Sequence, residues 1–208
     1  RLPPLPGPRA RSGAAEAGFR GRAAARRSMG KLLSRLFRPK RSFRLLILGL
    51  DNAGKTTTLL FFAHGENADT VPTVGFNAED FVYNGQNFEA WDVGGQEKIR
   101  ALWRHYFQGT DVLVFVVDSS DVMRLREARE ELQALLKEPL LRNSALLVYA
   151  NKQDMEGAAP PEEVAEKMGL SELPEDRRWH CQPCAALEGG RGLGDGLDWA
   201  ISQLQIRR

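Results

Sequence analysis

The sequence predicts a doubly wound α/β domain, a mostly parallel sheet flanked by helices, and three observations carry that prediction. From Phe43 onward, apolar runs of strand length alternate with stretches of helical spacing. Two of the runs, residues 112–117 and 145–150, are apolar without a break, as expected of strands covered on both faces. A glycine-rich turn, residues 49–54, joins the first strand to the first helix.

The elements follow in order. Residues 43–48 (FRLLIL) read as a buried strand, and a helix starts at about Lys55. Residues 76–83 and 86–91 flank Asn84-Gly85, a dipeptide that tolerates the two positive-φ positions of a tight hairpin, so these strands should be antiparallel. Residues 124–137 have helical spacing, with Leu125, Ala128, Leu132 and either Leu135 or Leu136 turned inward. Residues 196–206 close the chain as a helix, and no internal repeat is present.

The 208 residues suffice for one ordinary domain. No apolar run approaches the length of a membrane-spanning helix. The net charge of +2 hides an asymmetry: residues 1–28 and 29–44 carry +6 each, which leaves −10 for residues 45–208. A basic leader on an acidic body argues against a nucleic-acid-binding core and for an interacting tail. Cys181 and Cys184 form a C-x-x-C spacing without a second ligand pair, so ordinary cysteines are expected there.

Three segments result. Residues 1–28, rich in Arg, Pro, Gly and Ala, cannot bury enough surface to offset their ordering entropy, and disorder is expected. They begin with Arg, while Met29-Gly30 opens a different composition. A segment outside the natural protein is favoured over an Arg-rich targeting peptide, whose amphipathic helix the four early prolines disfavour. Residues 29–42 are expected to form a basic amphipathic helix and linker, and residues 43–208 the α/β domain.

The first chemical motif is Gly49-Leu50-Asp51-Asn52-Ala53-Gly54-Lys55-Thr56, a full G-x-x-x-x-G-K-[ST] between a strand and a helix. It marks a P-loop NTPase. The glycines let successive N–H groups turn toward phosphate oxygens, and the helix adds its positive end. Lys55 should reach the β- and γ-phosphates, the Thr56 hydroxyl should ligate Mg²⁺, and Thr57 continues the nucleotide-binding run. The base is decided elsewhere. In Asn151-Lys152-Gln153-Asp154 the carboxylate can accept two hydrogen bonds from guanine, whereas adenine would leave it unpaired. Asn151 should brace this loop and reach guanine N7, and the Lys152 stem should cover the ring.

Asp92-Val-Gly-Gly95-Gln96 reads as a nucleotide sensor. Asp92 can hold Mg²⁺ through a water, the Gly95 N–H can bond a γ-phosphate, and Gln96 can orient the attacking water. Thr73 is the second expected Mg²⁺ ligand, with a plain turn threonine as the alternative. No arginine of these segments is placed as a built-in finger, so one should be supplied in trans.

Taken in order, GLDNAGKT, PTVGFN, WDVGGQEKIRALWRHYF, NKQD and GLDW resemble the ADP-ribosylation factor family of small GTPases, from Met29 to the C-terminus. The resemblance implies a six-stranded sheet and slow hydrolysis of GTP. It also implies dependence on a guanine nucleotide exchange factor and a GTPase-activating protein. It further implies that Phe76, Trp91 and Tyr106 form an apolar patch read by effectors, although core packing would otherwise account for the two smaller rings. In the family's third base-binding loop, Ala185 stands where a cysteine is usual, and residues 188–192 run one residue long. The N–H of Ala186 is expected to meet guanine O6.

Met29-Gly-Lys-Leu-Leu-Ser34 fits a myristoylation pattern on Gly30 when translation starts at Met29. Leu32, Leu33, Leu36 and Phe37 would share one face of a short helix, which Pro39 should end. About nine residues do not stay helical alone in water, so the segment needs a surface, either the domain or a bilayer. The resemblance suggests that the two alternate, packed with GDP and released with GTP.

The resulting expectation is a monomeric GTPase switch with GTP/GDP and Mg²⁺, cytoplasmic and reversibly bound to Golgi or other endomembranes in vesicle trafficking. A P-loop kinase or ATPase is one rival, and it leaves Asn151 to Asp154 unexplained. A module that holds GTP without turnover is the other, and Gln96 argues against it.

Overall fold

A computed structural model describes residues 41–65 and 70–206 of the chain. The expectations for the leader, for Gly30 and for the apolar stripe before Pro39 therefore fall outside the described residues.

Among the described residues, six strands form one sheet in the order β2-β3-β1-β4-β5-β6. They are β1 (Ser42–Leu48), β2 (Phe76–Tyr83), β3 (Gln86–Val93), β4 (Val112–Asp118), β5 (Ala145–Asn151) and β6 (Trp179–Pro183). The helices are α1 (Lys55–His64), α2 (Glu97–Arg100), α3 (Leu125–Leu136), α4 (Pro161–Lys167) and α5 (Leu193–Gln205). Only β2 runs antiparallel to its neighbour. The fold is the mostly parallel, doubly wound sheet with one antiparallel hairpin that the sequence predicts.

Period-two alternation builds a core on each face. Leu46, Leu48, Leu113, Phe115 and Val117 pack with α3 residues Leu125, Ala128, Leu132 and Leu135. Leu45, Ile47, Val112, Val114 and Val116 pack on the other face with Leu59 of α1 and Leu193, Leu197 and Ile201 of α5. Strands covered on both sides need apolar residues at every position, which is why β4 and β5 lack a polar stripe. The inward residue left open in the sequence is Leu135, and Leu136 is only partly buried.

The hairpin turn places Asn84 at φ 46° and Gly85 at φ 73°, the paired left-handed residues of a two-residue turn whose twist matches the strands. The last helix starts at Leu193, three residues before the expected Gly196, because Leu193 and Leu197 both point into the core. The periodicity of residues 43–150 gives no hint of α4 or β6, which lie later in the chain. β6 is an edge strand, half-buried along most of its length, and its residues WHCQP carry neither an aliphatic run nor an alternation.

Parallel strands bring their carboxyl ends to one edge. Register pairs Ile47 with Asp92 and Asp118 with Asn151, so the segments after β1, β3, β4 and β5 converge there. The chain winds outward from β1 in both directions, and the switch point between β1 and β4 is where an open α/β sheet forms a ligand crevice.

Candidate nucleotide-binding site

A cleft of about 630 Å³ opens at that edge. It is lined by Asp51, Asn52, Gly54, Lys55, Thr56, Thr57, Thr73, Gly95, Gln96, Asn151, Lys152, Asp154 and Ala186, all singled out from sequence. Thr70, Val71, Pro72, Met155 and Leu187 also line it and were not assigned to it from sequence. Gly49, Leu50, Ala53, Asp92 and Ala185 are buried behind these residues.

The loop after β1 is tied to the loop after β5. Gly54 sits at φ 94°, and a Cβ there would lie 2.3 Å from Asn151 Nδ2. Any side chain at Gly54 would push the two loops apart. Asn151 Nδ2 donates to Ala53 O at 2.8 Å, and Asn151 Oδ1 accepts from Ala186 N–H at 3.0 Å. Both ends of the Asn151 amide are thus engaged by the protein as a brace. The Ala186 N–H, expected to meet guanine O6, has Asn151 Oδ1 as its acceptor in this structure.

Lys152 is left-handed at φ 66°, and its Nζ lies 2.6 Å from Asp118 Oδ2. Burial would raise the Asp118 carboxyl, but the hydrogen bonds from Lys152 and Ser120 outweigh it and hold the group below its usual value. Asp118 was not singled out from sequence. Its signal was there: like Asn151, it is the first polar residue after an unbroken apolar strand. Asp154 is exposed at the cleft rim, on a loop held by Gln153 N–H to Cys184 O at 3.1 Å.

Elsewhere along the cleft, oxygen donors cluster. Thr56 Oγ1 donates to Asp92 Oδ2 at 2.6 Å and lies 2.8 Å from Thr73 Oγ1. Asn77 Nδ2, not anticipated from sequence, reaches the same Asp92 oxygen at 3.2 Å. Asp92 is fully buried, and its Oδ1 has no hydrogen-bond partner. An orphaned buried carboxylate oxygen beside two hydroxyls is a hard-oxygen set suited to a small divalent cation, and these residues fit Mg²⁺. Lys55, nearly buried, donates from Nζ to Leu50 O at 2.7 Å. Burial lowers its pKa, while Asp92 and Asp51 act in the opposite sense. A buried ammonium of this kind calls for an anion.

Gln96 caps the start of α2 from an extended backbone and lines the cleft. The two arginines nearby are already engaged. Arg100 pairs with Glu127 at 2.7 Å and Glu131 at 2.9 Å, and Arg124 with Asp121 at 2.7 Å and Asp51 at 3.1 Å.

Phe76, Trp91 and Tyr106 come together outside the cleft, with ring centroids 5.2, 5.5 and 5.7 Å apart. Phe76 is 48% exposed, so the cluster reaches the surface and is not core packing alone. The two cysteines are free. Burial pushes the Cys181 thiol up to about 12 and raises Cys184 further, which leaves both unreactive at neutral pH. The 185–192 loop closes on itself through Ala185 N–H to Arg191 O at 2.9 Å.

Comparison with known proteins agrees with this architecture. The family model described as Arf, the ADP-ribosylation factor family, matches residues 29–204. Among solved structures, the chain is similar to the Arl6 BBS3 small GTPase from Trypanosoma brucei, whose structure holds the bound nucleotide analogue GppNp. The two are 32% identical over 81% of this chain and 100% of that one, with a TM-score of 0.74. With a family match across most of its length and the family's motifs lining one cleft, this chain belongs to the ADP-ribosylation factor family of small GTPases.

Proposed function

We propose that this chain binds GTP and GDP with Mg²⁺, hydrolyses GTP slowly, and alternates between the two states to recruit effectors at membranes in vesicle trafficking. One observation carries the reading. A guanine-type loop with exposed Asp154 and the hydroxyls of Thr56 and Thr73, which converge on buried Asp92, line the same cleft. The related small GTPase from T. brucei holds a nucleotide analogue, which favours the same occupant here.

In this reading Asp154 accepts the guanine N1–H and 2-amino protons, while the Asn151 brace keeps the loop against Ala53. Lys55 is set at the phosphate end, where an anion would offset the cost of its burial. Thr56, Thr73 and Asp92 would hold Mg²⁺, which when bound neutralises charge on the phosphate oxygens. The Gly95 N–H bonds the γ-phosphate, and Gln96 orients the attacking water. Arg100 and Arg124 are committed to carboxylates, so the arginine that offsets transition-state charge comes from an activating protein.

The Phe76, Trp91 and Tyr106 rings form the surface on which effectors dock. A myristoylated Gly30 and the basic stripe that follows would provide the two signals that stable anchoring needs. Competition between GTP, GDP and ATP for the purified protein tests the reading. Displacement by GTP and GDP but not ATP is expected, and equal displacement by ATP would overturn it. Stimulated release of phosphate from GTP then separates a switch from a module that only binds.

A further inference from the structure

Gly94 and Gly95 each give their carbonyl to a side chain that comes later in the chain. Trp103 Nε1 donates to Gly94 O at 2.9 Å, and Arg100 Nε donates to Gly95 O at 2.7 Å. Both donors are themselves fixed. The Trp103 ring is buried in the core against α3, and the Arg100 guanidinium is held by Glu127 and Glu131 of that helix.

In a trans peptide, the C=O of one residue and the N–H of the next point in opposite directions. Anchoring Gly94 O toward the core on Trp103 therefore aims the Gly95 N–H away from it. Anchoring Gly95 O on Arg100 does the same for the Gln96 N–H. Both residues line the cleft on that side. The glycines are also wedged. Gly94 N–H donates to Gly75 O at 2.9 Å, and a Cβ at Gly95 would lie 2.4 Å from Gly49 O and 2.5 Å from Asp51 N. Rotating either peptide would break its hydrogen bond to Trp103 or Arg100, and no side chain could be placed at Gly95 without striking the P-loop.

We infer that Trp103 and Arg100 are positioning residues that aim the Gly95 N–H and Gln96 at the triphosphate end of the cleft. The inference rests on the guanine nucleotide reading above. Only the state in which the γ-phosphate meets Gly95 draws on this orientation, so the two side chains favour GTP over GDP. Differential contact of this kind is what shifts an equilibrium between two states.

The test measures affinity for GDP and for a slowly hydrolysed GTP analogue, with Mg²⁺, in the full chain and in Trp103→Phe and Arg100→Lys. Phenylalanine keeps a ring in the core and removes only the indole donor. Lysine keeps a positive charge for Glu127 and Glu131 but loses the planar fork that also reaches Gly95 O. Each variant is expected to lose affinity for the analogue by about tenfold, the size expected when a buried acceptor loses its donor, and to keep GDP affinity within about twofold. Arg100→Lys is also expected to slow stimulated hydrolysis, because Gln96 follows the peptide it releases. Equal losses for both nucleotides, or no loss for either, would overturn the inference. If Trp103→Phe does not fold, Arg100→Lys decides alone. A wild-type chain that binds no guanine nucleotide would instead refute the reading beneath it.

Discussion

The hydroxyl oxygens of Thr56 and Thr73 lie 2.8 Å apart, although 17 residues separate them in sequence, and both reach Asp92 Oδ2. This contact joins the end of the P-loop, the segment before β2 and the end of β3 at one point. In the proposed switch, that point is where the presence of a third phosphate is felt.

Thr56→Asn is expected to shift preference toward GDP. An amide is a poorer Mg²⁺ ligand than the hydroxyl, and the triphosphate complex depends more on the metal. Comparison of GTP and GDP affinities checks this, and equal values would remove Thr56 from the metal site.

Base choice should follow Asp154. Asp154→Asn is expected to weaken GTP binding by about tenfold or more and to improve binding of xanthosine nucleotides. The reason is that an amide can donate to the xanthine O2, which the carboxylate repels. Unchanged GTP affinity would mean that Asp154, exposed at the rim, does not read the base.

Gln96→Leu should retain GTP binding and lose stimulated hydrolysis by about a hundredfold or more, because the water loses its orienting group while the phosphate contacts survive. Single-turnover phosphate release measures it. Normal stimulated turnover would exclude Gln96 from the chemistry.

Lys55 gives a pH signature. Burial lowers its pKa in the folded chain, so the charged form is disfavoured there relative to the unfolded chain. The resulting cost is present at neutral pH and is relieved as pH rises through the lowered folded value toward the ordinary lysine value. Without nucleotide, wild-type stability is therefore expected to rise relative to Lys55→Met over that alkaline window. Denaturant unfolding at a series of pH values reads the difference, and parallel curves would contradict the shift. In the same variant GTP affinity should fall by about tenfold or more, since a charge-assisted contact to phosphate is lost.

The membrane prediction concerns the chain that begins at Gly30 with myristate attached. It is expected to sediment with anionic liposomes far better when loaded with a slowly hydrolysed GTP analogue than with GDP. An apolar stripe such as Leu32, Leu33, Leu36 and Phe37 must be covered in one state or the other. Salt should weaken binding, by up to about 1 kcal/mol per basic residue near the surface. Equal sedimentation with both nucleotides would refute the coupling and leave the GTPase reading intact.

Local features were legible wherever one residue's chemistry or a short period decided the outcome. The strand at residues 112–117 was readable because burial on two faces demands an unbroken apolar run. The hairpin was readable because few residues other than Asn and Gly accept φ values of 46° and 73°. β6 was not, because an edge strand held by one neighbour places little demand on its side chains. Asn77 and the Arg100 cluster were not singled out either, since Asp92 lies 15 residues from Asn77 and Glu131 lies 31 residues from Arg100 along the chain.

The doubly wound sheet, the order of the motifs and most residue types lining the cleft could be read from the amino-acid sequence. This was possible because backbone conformation, strand periodicity and phosphate-binding loops depend on residues close together in the chain. Which atoms meet was settled by tertiary packing. It spent both ends of Asn151 on Ala53 and Ala186, set Lys152 on Asp118, left Asp92 Oδ1 without a partner, and turned the Gly94 carbonyl onto Trp103. Those choices depend on which strand ends lie side by side, and strand order is fixed by packing on the two faces of the sheet, not by any local run of residues.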